Sequence, residues 1–142
     1  MRAFWSKTVV VVVAGVGLQG LAWGQAAQRP DLGKREFEAR CASCHGVSGK
    51  GNGPISDLLR RSPPDLTQLA RRNGGILPVD RLYDSITGDA VASHGSRDMP
   101  VWGTVYRSDA ASYYAELPYD PEAYVRARVL ALVEYISRLQ AR

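Results

Sequence analysis

The chain has only two cysteines among its 142 residues, three positions apart, so no disulfide framework links its distant parts. No apolar run is long enough to suggest a polytopic membrane protein. No acidic residue precedes Asp31, and the formal charge of +4 owes half its size to Arg2 and Lys7. Without residues 1–24 the balance is 16 basic against 14 acidic residues, which is no nucleic-acid footprint. There is no internal repeat, no low-complexity tract beyond residue 24, and no period-2 alternation that reads as a strand. Histidine and methionine are equally scarce, at two each. Any site built on them has few candidates.

Residues 1–24 read as a cleaved signal peptide. Arg2 and Lys7 form a positive start, Thr8–Leu21 is apolar and valine-rich, and Ala22-Trp23-Gly24 has the small-x-small form of a cleavage site. A second cut of the same form follows Ala26. The alternative is an uncleaved anchor, but Thr8–Gly24 is 17 residues with Gln19 and four glycines, at the bottom of the spanning range. Either way the remaining chain is expected outside the cytoplasm, in a periplasm. Residues 25–30 are a short lead-in, and 31–142 form one domain with no stable membrane insertion once the signal is gone.

That domain reads as all-α with long Gly/Pro loops. Asp31 caps a first helix from about Asp31 to Cys44, with Leu32, Phe37, Cys41 and Cys44 at helical spacing. Gly46–Pro54 is a glycine-rich loop. Short helical turns follow at Ser56–Arg61 and Asp65–Ala70, the second ended by Asn73-Gly74-Gly75. Pro78–Thr87 reads as a helix stopped by Gly88, and Gly88–Gly103 as loop. Thr104–Asp120 carries four tyrosines and little periodicity. Asp120-Pro121-Glu122 opens a final helix to about Gln140, with Tyr124, Val125, Arg128, Val129, Leu132, Tyr135, Ile136 and Leu139 along one face.

Four or five short helices and many glycine loops bury little apolar area against the entropy of ordering them. Such a chain needs a staple, and two cysteines in one motif cannot supply it. A large bound cofactor serving as core would.

Both cysteines lie in Cys41-Ala42-Ser43-Cys44-His45, the C-x-x-C-H pattern of c-type haem attachment. On a helix, positions i and i+3 share a face, so both thiols reach the two vinyl groups on one porphyrin edge while the next residue sets an imidazole under the iron. Three other readings compete. A thioredoxin-like pair needs a βαβ setting that is not there. A zinc site from Cys41, Cys44, His45 and His94 would need two adjacent side chains on one tetrahedral ion. A Cys41–Cys44 disulfide would close too small a loop to contribute much.

From Gly33 to Leu139 the chain resembles the class I, single-haem cytochromes c. Gly33-x-x-x-Phe37-x-x-x-Cys41-Ala-Ser-Cys44-His45-Gly46 is similar to that family's first helix and haem motif, and Leu132-Val-Glu-Tyr135-Ile136 to its last helix. The resemblance implies a cytochrome c fold wrapped around one haem c, held by thioethers to Cys41 and Cys44. It implies that Gly33 permits a close helix crossing and that Phe37 packs near Tyr135. The loop ending Gly53-Pro54 looks like the segment whose proline carbonyl accepts the proton of the ligand imidazole.

His45 supplies one iron ligand. For the sixth position the chain beyond residue 24 offers Met99 and His94. Met99, in Asp98-Met99-Pro100-Val101-Trp102-Gly103, looks like the family's distal loop; its soft, neutral thioether raises the reduction potential relative to a second histidine. A lone Met in a Pro/Gly loop is a poor gap-filling core residue. His94, among Ser93, Gly95 and Ser96, remains the rival.

The expected function is one-electron transfer between redox proteins such as an oxidase, reductase or dehydrogenase, with no bond chemistry and no catalytic residues. One alternative is a dedicated subunit of a larger oxidoreductase, kept alive by the tyrosine-rich segment 104–120. Another is a gas-binding sensor or small haem enzyme, which requires an open distal site.

Overall fold

The structure, a computed structural model, describes residues 30–88, 99–116 and 118–141. The proposed signal peptide and His94 lie outside them. Among the described residues there are six α-helices and no strand: α1 (Leu32–Arg40), α2 (Ala42–His45), α3 (Leu69–Arg72), α4 (Val79–Thr87), α5 (Trp102–Tyr113) and α6 (Pro121–Arg138). Two 3₁₀ turns, Ser56–Leu58 and Leu66–Gln68, interrupt the loops. Among the described residues no helix is long and apolar enough to cross a membrane.

Local chemistry sets the ends of these elements. Asp31 accepts a hydrogen bond from Lys34 N at 2.9 Å and opens α1; Asp120 does the same for Glu122 N, with Pro121 at the first helical position of α6. Gly88 ends α4 in the left-handed conformation, φ 85°. The single first helix expected over 31–44 is instead two: the chain resets at Cys41, φ −111°, between α1 and α2. Helical bonds still run through the break, from Cys41 N to Phe37 O and from His45 N to Cys41 O, both at 2.9 Å.

The region Thr104–Asp120, where no helix was expected, holds most of α5. Its buried positions are Gly103, Tyr106 and Ala110, a helical spacing made largely of residues too small to register as apolar periodicity. Gly103 is small for a reason: a Cβ there would lie 2.7 Å from Thr87 O at the end of α4.

Helix α6 is the spine. Val125, Val129, Leu132, Val133 and Ile136 are all buried, and they pack with Phe37 of α1, Leu82 and Ile86 of α4, and Tyr106 of α5. Burial of each such aliphatic side chain stabilises the fold by about 1.5–3 kcal/mol. The α1–α6 crossing is close. A Cβ on Gly33 would sit 2.0 Å from Ala131 O, and the Phe37 and Tyr135 rings lie 5.2 Å apart. Both expectations from the resemblance hold here.

The last residues also tie down the middle of the chain. Gln140 Nε2 donates to Leu66 O at 2.8 Å, Ala70 N donates to Gln140 Oε1 at 2.9 Å, and Ala141 N donates to Thr67 O at 2.8 Å.

Candidate functional site

Cys41, Cys44 and His45 stand at the junction of α1 and α2. Both cysteines are free thiols, half-buried, and three positions apart on near-helical backbone, so their sulfurs share a face. Burial pushes the Cys41 thiol up to about 12, with Glu36 adding to the shift, so the sulfur is held neutral. His45 is buried, 8% exposed. Its Nδ1 lies 3.4 Å from the carbonyl of Pro64.

This corrects the reading of Pro54. The carbonyl beside the imidazole belongs to Pro64, while Pro54 is exposed. The loop explains it. Gly51 N donates to His45 O and Gly53 N to Cys44 O, which folds residues 49–53 back against α2. Leu66 N then donates to Gly49 O at 2.7 Å, drawing the Pro63-Pro64 segment across the motif. Gly51 is needed where they cross: its φ is +79°, and a Cβ would lie 2.3 Å from Pro63 O. With Nδ1 directed at a carbonyl, coordination of a metal by His45 would run through Nε2.

Met99 is half-buried, three residues before α5. Its surroundings are fixed by two close approaches. Gly88 at the end of α4 leaves room for Val101, whose Cγ1 would be 2.6 Å from a Cβ there, and Gly103 rests on Thr87 O. The end of α4 and the start of α5, which Met99 precedes by three residues, are therefore pinned together. Lys50 is exposed and contributes to lowering the Asp65 carboxyl, behind that residue's own hydrogen bonds with Thr67.

A polar cluster that the sequence did not reveal lies next to the motif. Glu36, whose side chain is 11% exposed, accepts from Arg40 Nε at 3.2 Å, from Tyr106 Oη at 3.0 Å and from Arg128 Nη1. Arg40 Nη2 also reaches Asp109 Oδ2 at 2.5 Å. The Arg40 guanidinium lies over two rings, 5.7 Å from the Trp102 centroid and 5.2 Å from that of Tyr106. Burial and the neighbouring Glu36 hold the Tyr106 phenol well above its usual range, so it stays a donor. Glu36 and Arg128 are 92 residues apart, and only the α1–α6 crossing joins them.

The tyrosine-rich segment resolves into two parts. Tyr106 belongs to the core, whereas Tyr114 stacks on Tyr119 at 4.1 Å and meets Tyr113 and Tyr124 edge-on. Tyr113 remains 78% exposed.

The family model described as "Cytochrome C oxidase, cbb3-type, subunit III" matches residues 28–113, more than half of the chain. The chain belongs to this family. It is a class I c-type cytochrome, with the all-helical fold expected of one. No curated protein and no solved structure matches it. A c-type cytochrome domain is a haem-binding electron-transfer module, and family membership implies covalent haem c. The residues of this cytochrome fit that group on chemical grounds. Two free thiols three positions apart could form thioethers, and a buried imidazole with Nδ1 at a carbonyl would coordinate through Nε2. Among the described residues no group of three or more His, Cys, Asp and Glu could hold a bare metal ion.

Proposed function

We propose that this cytochrome is exported to a periplasm and carries single electrons between redox proteins, with one haem c joined to Cys41 and Cys44 and ligated by His45 and Met99. The observation that carries the reading is the placement of the buried His45, its Nδ1 at the Pro64 carbonyl, one position after a free C-x-x-C pair at the α1–α2 junction. When bound, the haem supplies the one-electron couple of its iron. The chain's residues do the rest. Cys41 and Cys44 anchor the macrocycle edge to the α1–α2 junction, Pro64 orients the imidazole, and the Val101 and Gly103 contacts set where Met99 enters. With His45 and Met99 both held by the fold, the chain would rearrange little on a change in charge of the group they hold.

The test is a visible spectrum of protein matured with haem in a periplasm: oxidised, reduced, and reduced under carbon monoxide. The proposal expects a low-spin spectrum, a weak red band from methionine on oxidised iron, and no response to carbon monoxide. Ready carbon monoxide binding puts the gas-sensor or enzyme reading in its place. Intact mass of the same sample tests the signal peptide, since cleavage after Gly24 or Ala26 removes a defined mass and an anchor removes none. His94→Ala is expected to leave the reduction potential unchanged, whereas Met99→Ala lowers it.

A second reading has a specific support. The family is described by a subunit of a terminal oxidase, and an exposed Tyr113 beside the Tyr114–Tyr119 stack suits a lasting interface. Under this reading the acceptor is an oxidase and the chain travels with it. Recovery of the tagged protein in a haem-copper oxidase complex from membranes supports it; recovery alone in the soluble periplasmic fraction supports the free carrier.

A further inference from the structure

Arg40 closes α1, one residue before Cys41, and its side chain does not turn to solvent. One guanidinium joins Glu36 on its own helix to Asp109 on α5 and lies over the rings of Trp102 and Tyr106. Trp102, Tyr106 and Asp109 are at i, i+4 and i+7, one face across the first two turns of α5. Tyr106 completes the tie from the other side by donating to Glu36. In sequence the pin stands five residues before His45, and Met99 lies three residues before Trp102, which Arg40 touches, so it connects the two segments that bear the proposed iron ligands.

We propose that Arg40 is a positioning residue: by locking the start of α5 to the haem-attachment helix it holds the Met99 thioether at the iron. This rests on Met99 being the sixth ligand. A thioether is a weak ligand, and its occupancy depends on how firmly the backbone presents it. Exogenous imidazole must wait for the open state, so its apparent affinity reports the fraction of time the iron is released. The planar fork is what permits contact with two carboxylates and two rings at once; lysine keeps the charge and loses that geometry.

The test compares oxidised, full-length holoproteins carrying Arg40→Ala, Arg138→Ala and Met99→Ala. Arg138 ties α6 to Asp31 at the start of α1 and serves as a cross-helix control. In Arg40→Ala the imidazole dissociation constant is expected to fall at least about tenfold, and the red methionine band to disappear at lower pH, with covalent haem retained. Arg138→Ala is expected to stay within about twofold of the parent. Equal shifts in Arg40→Ala and Arg138→Ala mean general loosening and overturn the proposal, as does no shift in Arg40→Ala. If Met99→Ala leaves imidazole affinity unchanged, the ligand reading fails and the positioning role fails with it. Where Arg40→Ala yields no holoprotein, Arg40→Lys serves the same comparison, and parent-like imidazole affinity in it overturns the role of the fork.

Discussion

Two regions of this cytochrome are held together by different means. Helices α1, α5 and α6 form a frame with its own apolar core, and every ion pair found among the described residues involves them or their Asp caps. The stretch from His45 to Pro78 has short turns, glycine crossings and backbone hydrogen bonds, and it leaves Val47, Leu58 and Ile76 exposed. The frame buries apolar side chains against each other. The motif region is arranged largely around backbone, with Leu66, Leu69 and Leu77 as its apolar anchors on the frame's core. The difference marks where a cofactor would matter: the frame brings a core of its own, and the proposed haem would complete the region around its cysteines.

The largest expected effect breaks the motif region alone. Cys41→Ala with Cys44→Ala should abolish covalent haem, and amide exchange should then be far faster across residues 46–78 than in α6. A colourless double variant with equal protection in both regions would show that the loops need no cofactor. Within the frame, Phe37→Ala removes a ring that is 0% exposed and is expected to cost about 3–5 kcal/mol by chemical denaturation of holoprotein. Gly33→Ala forces a methyl against Ala131 O and is expected to cost about 1–3 kcal/mol or more by the same measurement. Gly51→Ala meets both an unfavourable φ and Pro63 O, at about 1–2 kcal/mol for the backbone conformation alone, and it should also disturb the His45 ligation spectrum, which Gly33→Ala should not.

Acid sharpens the contrast further. Asp31 and Asp120 are held below the usual carboxylate range, chiefly by the backbone N–H groups of Lys34 and Glu122. A lowered carboxyl contributes stability above the unfolded value near 3.9 and loses it as pH falls through the folded value. Melting temperature should therefore fall below about pH 4, and Asp120→Asn should flatten that limb while keeping the cap. The smallest effect is expected at Lys34→Ala, which breaks an exposed pair with Glu38 at 3.7 Å and should change stability by under about 0.5 kcal/mol.

Much of the frame was legible in sequence because its rules are local. Asp31, Asp120-Pro121 and Gly88 mark helix ends by their own chemistry, and α6 carries an apolar face too regular to miss. Helix α5 escaped because Gly103 and Ala110 do their work by being small, which becomes visible only when α4 and α6 are beside the helix. The C-x-x-C-H motif was legible for the same local reason, while its supporting carbonyl was not. Choosing Pro64 over Pro54 depends on how residues 49–53 fold back, and Glu36 meets Arg128 only through a crossing of the first and last helices.

That crossing has a consequence in time. Phe37 and Gly33 find their partners on α6, and Leu66, Thr67 and Ala70 are tied by Gln140 and Ala141, the end of the described chain. During synthesis the N-terminal third therefore waits for α6 before it can close. Until then Cys41 and Cys44 sit on open polypeptide, where their thiols are within reach of any partner that would modify them.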